Sequence, residues 1–132
     1  MNVFISYAHT DRSLAIKVSE ALIQAGFKVW DYEEEILPGD NWAEKIAQGL
    51  EEADAMVVLI TPEAMRSLAV RREIDYALGK KIFKDRLIPV LVGTLGNEDI
   101  PWILRHLNTI KLSEPEEEEE IKRITEVLQA VA

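Results

Sequence analysis

The sequence predicts an α/β fold, with an open sheet of five parallel strands and helices on both faces. Three features point to it. Strand-type and helix-type runs alternate along the whole chain, the run AMVVLIT at residues 55–61 is almost continuously apolar, and all of this is compressed into 132 residues. Alternation of this kind is the mark of βαβ units, and a continuous apolar strand is one covered on both faces.

The elements follow in order. VFISY opens the chain as a short β-rich run, and Leu14, Val18, Ala21, Leu22 and Ala25 then recur on one helical face that Gly26 closes. FKVW is the second strand. The loop DYEEEILPGD leads to a helix that starts at Asn41, with Glu44 three residues on, and that buries Trp42, Ile46 and Leu50. After AMVVLIT, Thr61 and Pro62 suit the cap and first position of a third helix, which runs on through SLAVRREIDYALGKK. RLIPVLVG and TIKL supply the last two strands, and IPWIL between them forms a short helical turn. In SEPEEEEEIKRITEVLQAVA, Ser113 and Glu116 have capping-box spacing. The acidic first turn complements the helix dipole, and Ile121, Ile124, Leu128 and Val131 follow at helical spacing. Right-handed crossovers in so short a chain favour the flavodoxin-like order 2-1-3-4-5, a three-layer sandwich occupying residues 1–132 as a single domain.

Composition excludes several classes of function. With no cysteine, disulfides, thiolate metal sites and a cysteine nucleophile are ruled out, and a reducing compartment is expected. The N-terminus lacks a signal-peptide pattern and no run approaches the roughly 18 apolar residues of a membrane span, so a cytoplasmic protein is expected. A formal net charge of −9 opposes sequence-independent binding to nucleic acid or anionic membranes. Neither GxGxxG nor GxxxxGK[ST] occurs, and no Ser/Thr/Gly-rich flavin loop follows strand one. Where a receiver-type site would want a carboxylate, strand three ends in Thr61. His9 and His106, the two histidines, are far apart, so no metal site is expected. Ser6 and His9 lack the elbow motif of a hydrolytic triad.

In sheets of this order ligands bind outside the carboxyl ends of the strands, where SYAHTD, WDYEEEILPGD and TPEAM collect. The third helix starts at the same edge and contains Glu73, a carboxylate with no obvious duty. Its neighbours three and four residues away are Ala69, Val70, Tyr76 and Ala77, whereas Asp75 has Arg71 and Arg72 in pairing positions. Glu73 is therefore either a functional carboxylate or a structural one, capping a loop or pairing with a distant base such as Arg12 or Lys45.

FISYAHTD, GFKVWD, LPGDNW, AMVVLIT and VRREIDYAL, in that order, resemble the Toll/interleukin-1 receptor (TIR) domain family in its stand-alone bacterial form. The resemblance runs from about Asn2 to the terminal helix. It implies two quite different functions. Some TIR domains are adaptors that bind other TIR domains through the loop after strand two, which here is Leu37, Pro38, Gly39 and Asp40. Others cleave the nicotinamide–ribose bond of NAD+ to ADP-ribose or cyclic ADP-ribose isomers, with a catalytic glutamate that matches Glu73. The resemblance further implies that Tyr7, Ala8 and His9 line the nicotinamide-ribose side and that Trp30 stacks on the nicotinamide ring. Ser6 and Tyr7 also have structural readings, as does Trp30 in core packing. Trp42 and Trp102 read as core or surface covers, and Arg12, Arg66, Arg71 and Arg72 are pyrophosphate candidates or plain solvated charges. Ala69 stands where active relatives commonly have tryptophan, which means either a wider pocket or lost activity.

One carboxylate suits N-glycoside cleavage, since it stabilises an oxocarbenium-like transition state while nicotinamide departs as a neutral ring. The expected enzyme needs no cofactor, NAD+ being its substrate. Its partners are NAD+, other TIR domains and a separate effector that senses the product, in defence signalling. The alternatives are a non-catalytic TIR–TIR docking module, or a nucleoside deoxyribosyltransferase-like enzyme acting on nucleosides.

Overall fold

The computed structural model of the protein describes residues 1–93, 100–107, 109–113 and 117–132. Five parallel strands, β1 (Asn2–Ser6), β2 (Lys28–Trp30), β3 (Ala55–Ile60), β4 (Leu87–Val92) and β5 (Ile110–Leu112), form one sheet in the order 2-1-3-4-5. Strand β3 sits at its centre. Every residue of that strand is buried, as its apolar run predicts.

Alternation along the strands sorts the core into two layers. Val3 and Ile5 of β1, with Val57 and Leu59 of β3, pack under α1 (Arg12–Gln24) and α6 (Glu117–Val131), meeting Val18, Leu22, Ile124 and Leu128. Phe4, Met56, Val58 and Ile60 face the other way, towards α3 (Trp42–Glu52), α4 (Pro62–Arg66) and α5 (Leu68–Leu78), where Leu50, Ala64, Val70 and Ile74 wait. Register pairs Phe4 with Met56 and Ser6 with Val58. Ser6 therefore shares the parity of Phe4 and points to the side of the sheet that carries α5. The predicted stop at Gly26 is a residue with φ +96°, where a side chain would be strained.

Three expectations about the elements need correction. The segment after Thr61 is two helices, not one: Thr61 Oγ1 accepts from the amide of Ala64, but Ser67 is extended and starts α5 afresh by accepting from the amide of Val70 at 3.2 Å. The stretch DYEEEILPGD is not all loop. It contains a one-turn helix, α2 (Tyr32–Glu35), because Asp31 accepts from the amide of Glu33 and three glutamates complement its first turn. Of the three side chains expected to be buried, Leu50 is, Ile46 is half-buried, and Trp42 is 61% exposed, since it begins α3 at the sheet edge, beyond the core. Two short 3₁₀ turns, Lys81–Phe83 and Trp102–His106, flank β4, the second where IPWIL suggested one. Glu116 of the expected capping box lies outside the described residues.

Gly49 in α3 shows how tightly this layer is packed. A Cβ there would lie 2.5 Å from Cε2 of Trp30, whose ring is stacked on Phe4 with centroids 4.8 Å apart. Alanine normally outperforms glycine in a helix by about 1 kcal/mol. Gly49→Ala is expected instead to destabilise the protein by about 1–3 kcal/mol through overpacking, seen as a lower thermal midpoint.

Candidate active site at the carboxyl edge of the sheet

Glu73 projects from the inner face of α5 and is buried, with 3% of its surface exposed. Neither of the expected basic partners reaches it. Ser6 Oγ, at the end of β1, donates to Glu73 Oε1 at 2.7 Å, and the Tyr32 hydroxyl, from α2, donates a short hydrogen bond to the same oxygen. The other oxygen, Oε2, is buried with no hydrogen-bond partner among the described residues. Burial pushes the carboxyl up to about 7, against the opposing pull of the Tyr32 and Ser6 hydrogen bonds. At neutral pH the group therefore stands near its own midpoint, so that both its charged and its neutral form are accessible.

Arg12 is engaged elsewhere. Its guanidinium lies 3.3 Å from Asp31 Oδ2 and donates to the Tyr7 hydroxyl at 3.1 Å, and that hydroxyl in turn donates to Asp31 Oδ1 at 2.5 Å. Burial first, and then the Asp31 carboxylate beside it, push the Tyr7 phenol well above its ordinary range. Tyr7 is thus a buried anchor that ties β1, α1 and the start of α2 together. Arg66 pairs with Glu63 at 3.6 Å. Arg71, Arg72 and Asp75 are exposed, and among the described residues no ion pair joins them.

Tyr32 is the hub that the sequence reading overlooked. Its ring lies 5.0 Å from Tyr7, 5.6 Å edge-on from Trp30, 5.9 Å edge-on from Phe4 and 6.3 Å in a stack with Trp42. Burial and the adjacent Glu73 carboxylate push its phenol far upward, so it remains a proton donor at any ordinary pH. Its immediate signal in the sequence is faint: an aromatic directly after Asp31, in a segment that reads as loop.

The residues singled out from sequence fall into three groups. Tyr7 and Trp30 surround Tyr32, with one face of the Trp30 ring taken by Phe4, and Ala8 is buried in the same layer as Val70 and Ile74. His9 is exposed, its Nδ1 3.4 Å from Glu33, and Ala69 is exposed on α5. Leu37, Pro38, Gly39 and Asp40 make a turn closed by Asp40 N donating to Leu37 O at 3.0 Å and Leu37 N donating to Asp40 Oδ2 at 2.9 Å. Together with Tyr32 and Trp42 they line an open cavity of about 390 Å³. Tyr32 is therefore common to that cavity and to the Glu73 carboxylate. No group of three or more metal-ligating side chains occurs among the described residues, and no helix there is long and apolar enough to cross a membrane.

Comparison with known proteins gives this geometry a family. The family model for the TIR domain matches residues 3–125. The chain is 25% identical over 134 aligned residues to the stimulator of interferon genes protein of Magallana gigas, covering 99% of this chain and 31% of that protein. It is 30% identical over 86 residues to the 2′ cyclic ADP-D-ribose synthase BtTIR of Bacteroides thetaiotaomicron, covering 64% of this chain and 30% of that one. The chain thus spans about a third of the length of these curated relatives. Among solved structures it superposes on the TIR domain of the Toll-related receptor TRR-2 of Hydra magnipapillata with a TM-score of 0.74 at 23% identity, covering 92% of this chain and 91% of that one. The TIR-STING receptor of C. gigas, solved with 2′,3′-cGAMP, gives 0.76 at 25% identity, covering 93% and 39%. With its sheet order, its edge loops and a family match over nearly its whole length, the chain belongs to the TIR domain family.

Proposed function

We propose that this TIR domain cleaves the bond between nicotinamide and ribose in NAD+, with Glu73 as the catalytic carboxylate. The observation that carries the reading is Glu73 itself: a buried carboxylate with one oxygen held by two hydroxyls and the other without a partner, at the ligand-binding edge of the sheet. A purely structural carboxylate that costs stability and leaves an oxygen unsatisfied would be an odd thing to keep. The 30% identity to a cyclic ADP-ribose synthase supports the same substrate class.

In the proposed step the C1′–N bond breaks heterolytically. Its electron pair passes to the nicotinamide nitrogen, which becomes neutral, while the ionised carboxylate stabilises the positive charge left on the ribose. Capture of C1′ by water, which gives up a proton to solvent, yields ADP-ribose. Capture by another hydroxyl of the same molecule, which likewise gives up its proton to solvent, yields a cyclic product. Because Tyr32 covers Glu73, substrate reaches the carboxylate only after the α2 turn moves off it. The reading extends to a self-associating protein in cytoplasmic defence signalling, whose product is sensed by a separate effector.

The test is nicotinamide release from NAD+ by concentrated purified protein, with Glu73→Ala in parallel and products separated by chromatography. Release that disappears in the variant is the expected result, and rates should rise faster than linearly with protein concentration if neighbouring subunits complete the pocket. Absence of turnover in the wild type at every concentration would overturn the reading. A docking role has its own support, since Leu37 and Trp42 are 62% and 61% exposed beside the Pro38–Asp40 turn. It predicts that Asp40→Ala abolishes self-association whereas Glu73→Ala leaves it unchanged.

A further inference from the structure

We propose that Ser6 is a positioning residue for Glu73, fixing Oε1 so that the unpartnered Oε2 is the oxygen presented to the reacting carbon. This rests on the NAD+-cleavage reading of the same site. Ser6 and Tyr32 converge on Oε1, but they are held in different ways. Ser6 closes β1, is fully buried, and is locked by register opposite Val58 of the central strand. Tyr32 sits on a helix of four residues at the start of an exposed loop. Any opening that admits substrate displaces the α2 turn and leaves the sheet in place, so Ser6 is the donor that stays. A carboxylate whose one oxygen is held by a rigid hydroxyl cannot turn freely about its own Cγ–Cδ bond, which confines Oε2 to a narrow arc. The hydroxyl also favours the ionised form, the form the reaction requires.

The electrostatic surroundings are simple enough for a clean test. Among the described residues Tyr32 is the one titratable group hydrogen-bonded to Glu73, and α5 itself presents no base to it. Asp31 and Arg12 meet on the Tyr7 hydroxyl, one ring further away.

The experiment pairs an activity measurement with one that does not depend on activity. For Ser6→Ala, kcat for NAD+ cleavage is expected to fall about tenfold or more with KM little changed, and the acid limb of the kcat/KM profile to move up by roughly one pH unit. In parallel, the Glu73 side-chain carboxyl is titrated by carbon NMR in protein labelled at glutamate, its signal assigned by its loss in Glu73→Gln. Its midpoint should rise in Ser6→Ala. Should that variant fail to fold, Ser6→Cys, with a weaker donor of similar shape, is expected to move the midpoint in the same direction by less. A Glu73 midpoint that stays at the wild-type value in the folded variant overturns the proposal, as does an unchanged acid limb with activity retained. A wild type that turns over no NAD+ while the midpoint still moves refutes the reaction and leaves the hold of Ser6 on Glu73 standing.

Discussion

Glu73→Gln is expected to abolish NAD+ cleavage, by on the order of a thousandfold, and at the same time to make the protein more stable above neutral pH. The two effects have one cause. Glutamine keeps a carbonyl for the Ser6 and Tyr32 hydroxyls and places a neutral amide where Oε2 stands, so it imitates the protonated carboxyl and cannot imitate the charged one. Burial raises the folded-state carboxyl from an ordinary 4.5 to about 7. The folded protein therefore holds a proton that the unfolded chain releases, and wild-type stability falls as pH rises from about 4.5 to about 7, then levels off. The loss amounts to about 3 kcal/mol, or a thermal midpoint lower by roughly 10 °C in a chain of this size. The variant should escape it. Thermal unfolding of both proteins from pH 4 to 9 is the check: curves that coincide near pH 4 and separate by pH 8 are expected, and curves that stay parallel throughout would show that folding does not shift Glu73.

Asp31→Ala is expected to cost about 3–5 kcal/mol, more than any other single change in the Tyr7–Asp31–Arg12 group. Asp31 is buried and receives three donors: the Tyr7 hydroxyl at 2.5 Å, the Arg12 guanidinium at 3.3 Å and the Glu33 amide at 3.3 Å. Removing the carboxylate leaves a buried phenol without an acceptor, an arginine without its counter-ion, and the first turn of α2 without its cap. Arg12→Ala should cost much less. The Arg12 side chain keeps 29% of its surface in solvent, and its removal leaves Asp31 with the Tyr7 hydroxyl and the Glu33 amide as donors. Urea unfolding of the two single variants and the double variant measures the coupling. A cost below about 1 kcal/mol for Asp31→Ala would mean that the three donors find other partners once it is gone.

The same variant links stability to the site. Asp31 precedes Tyr32 directly, and α2 is one turn long with Asp31 as its cap. Loosening that cap loosens the hydroxyl that lies over Glu73. The network that fastens the loop to the sheet is thus also the network that keeps the carboxylate covered.

By itself, the sequence determined the parts whose signals are local. AMVVLIT is a covered central strand because its apolar run has no polar break. Gly26 ends α1 because it accepts a positive φ, and Thr61–Pro62 start a helix because the cap and the missing amide are both tolerated there. Alternation and crossover handedness gave the sheet order, and Glu73 stood out because nothing within a helical turn could pair with it. Other features were settled by contacts between residues far apart in the chain. Ser6 and Tyr32 reach Glu73 across 67 and 41 residues, and Arg12 turns to Asp31 instead. A helical period says which face of α5 is inward and leaves open what meets it there. Trp42 looked like a core residue for the same reason, although its position at the first turn of α3 leaves most of the ring in solvent. Spacing along one element limits which side chains share a face, and only the packing of separate elements decides which hydroxyls converge on a buried carboxylate and how strongly its proton is held.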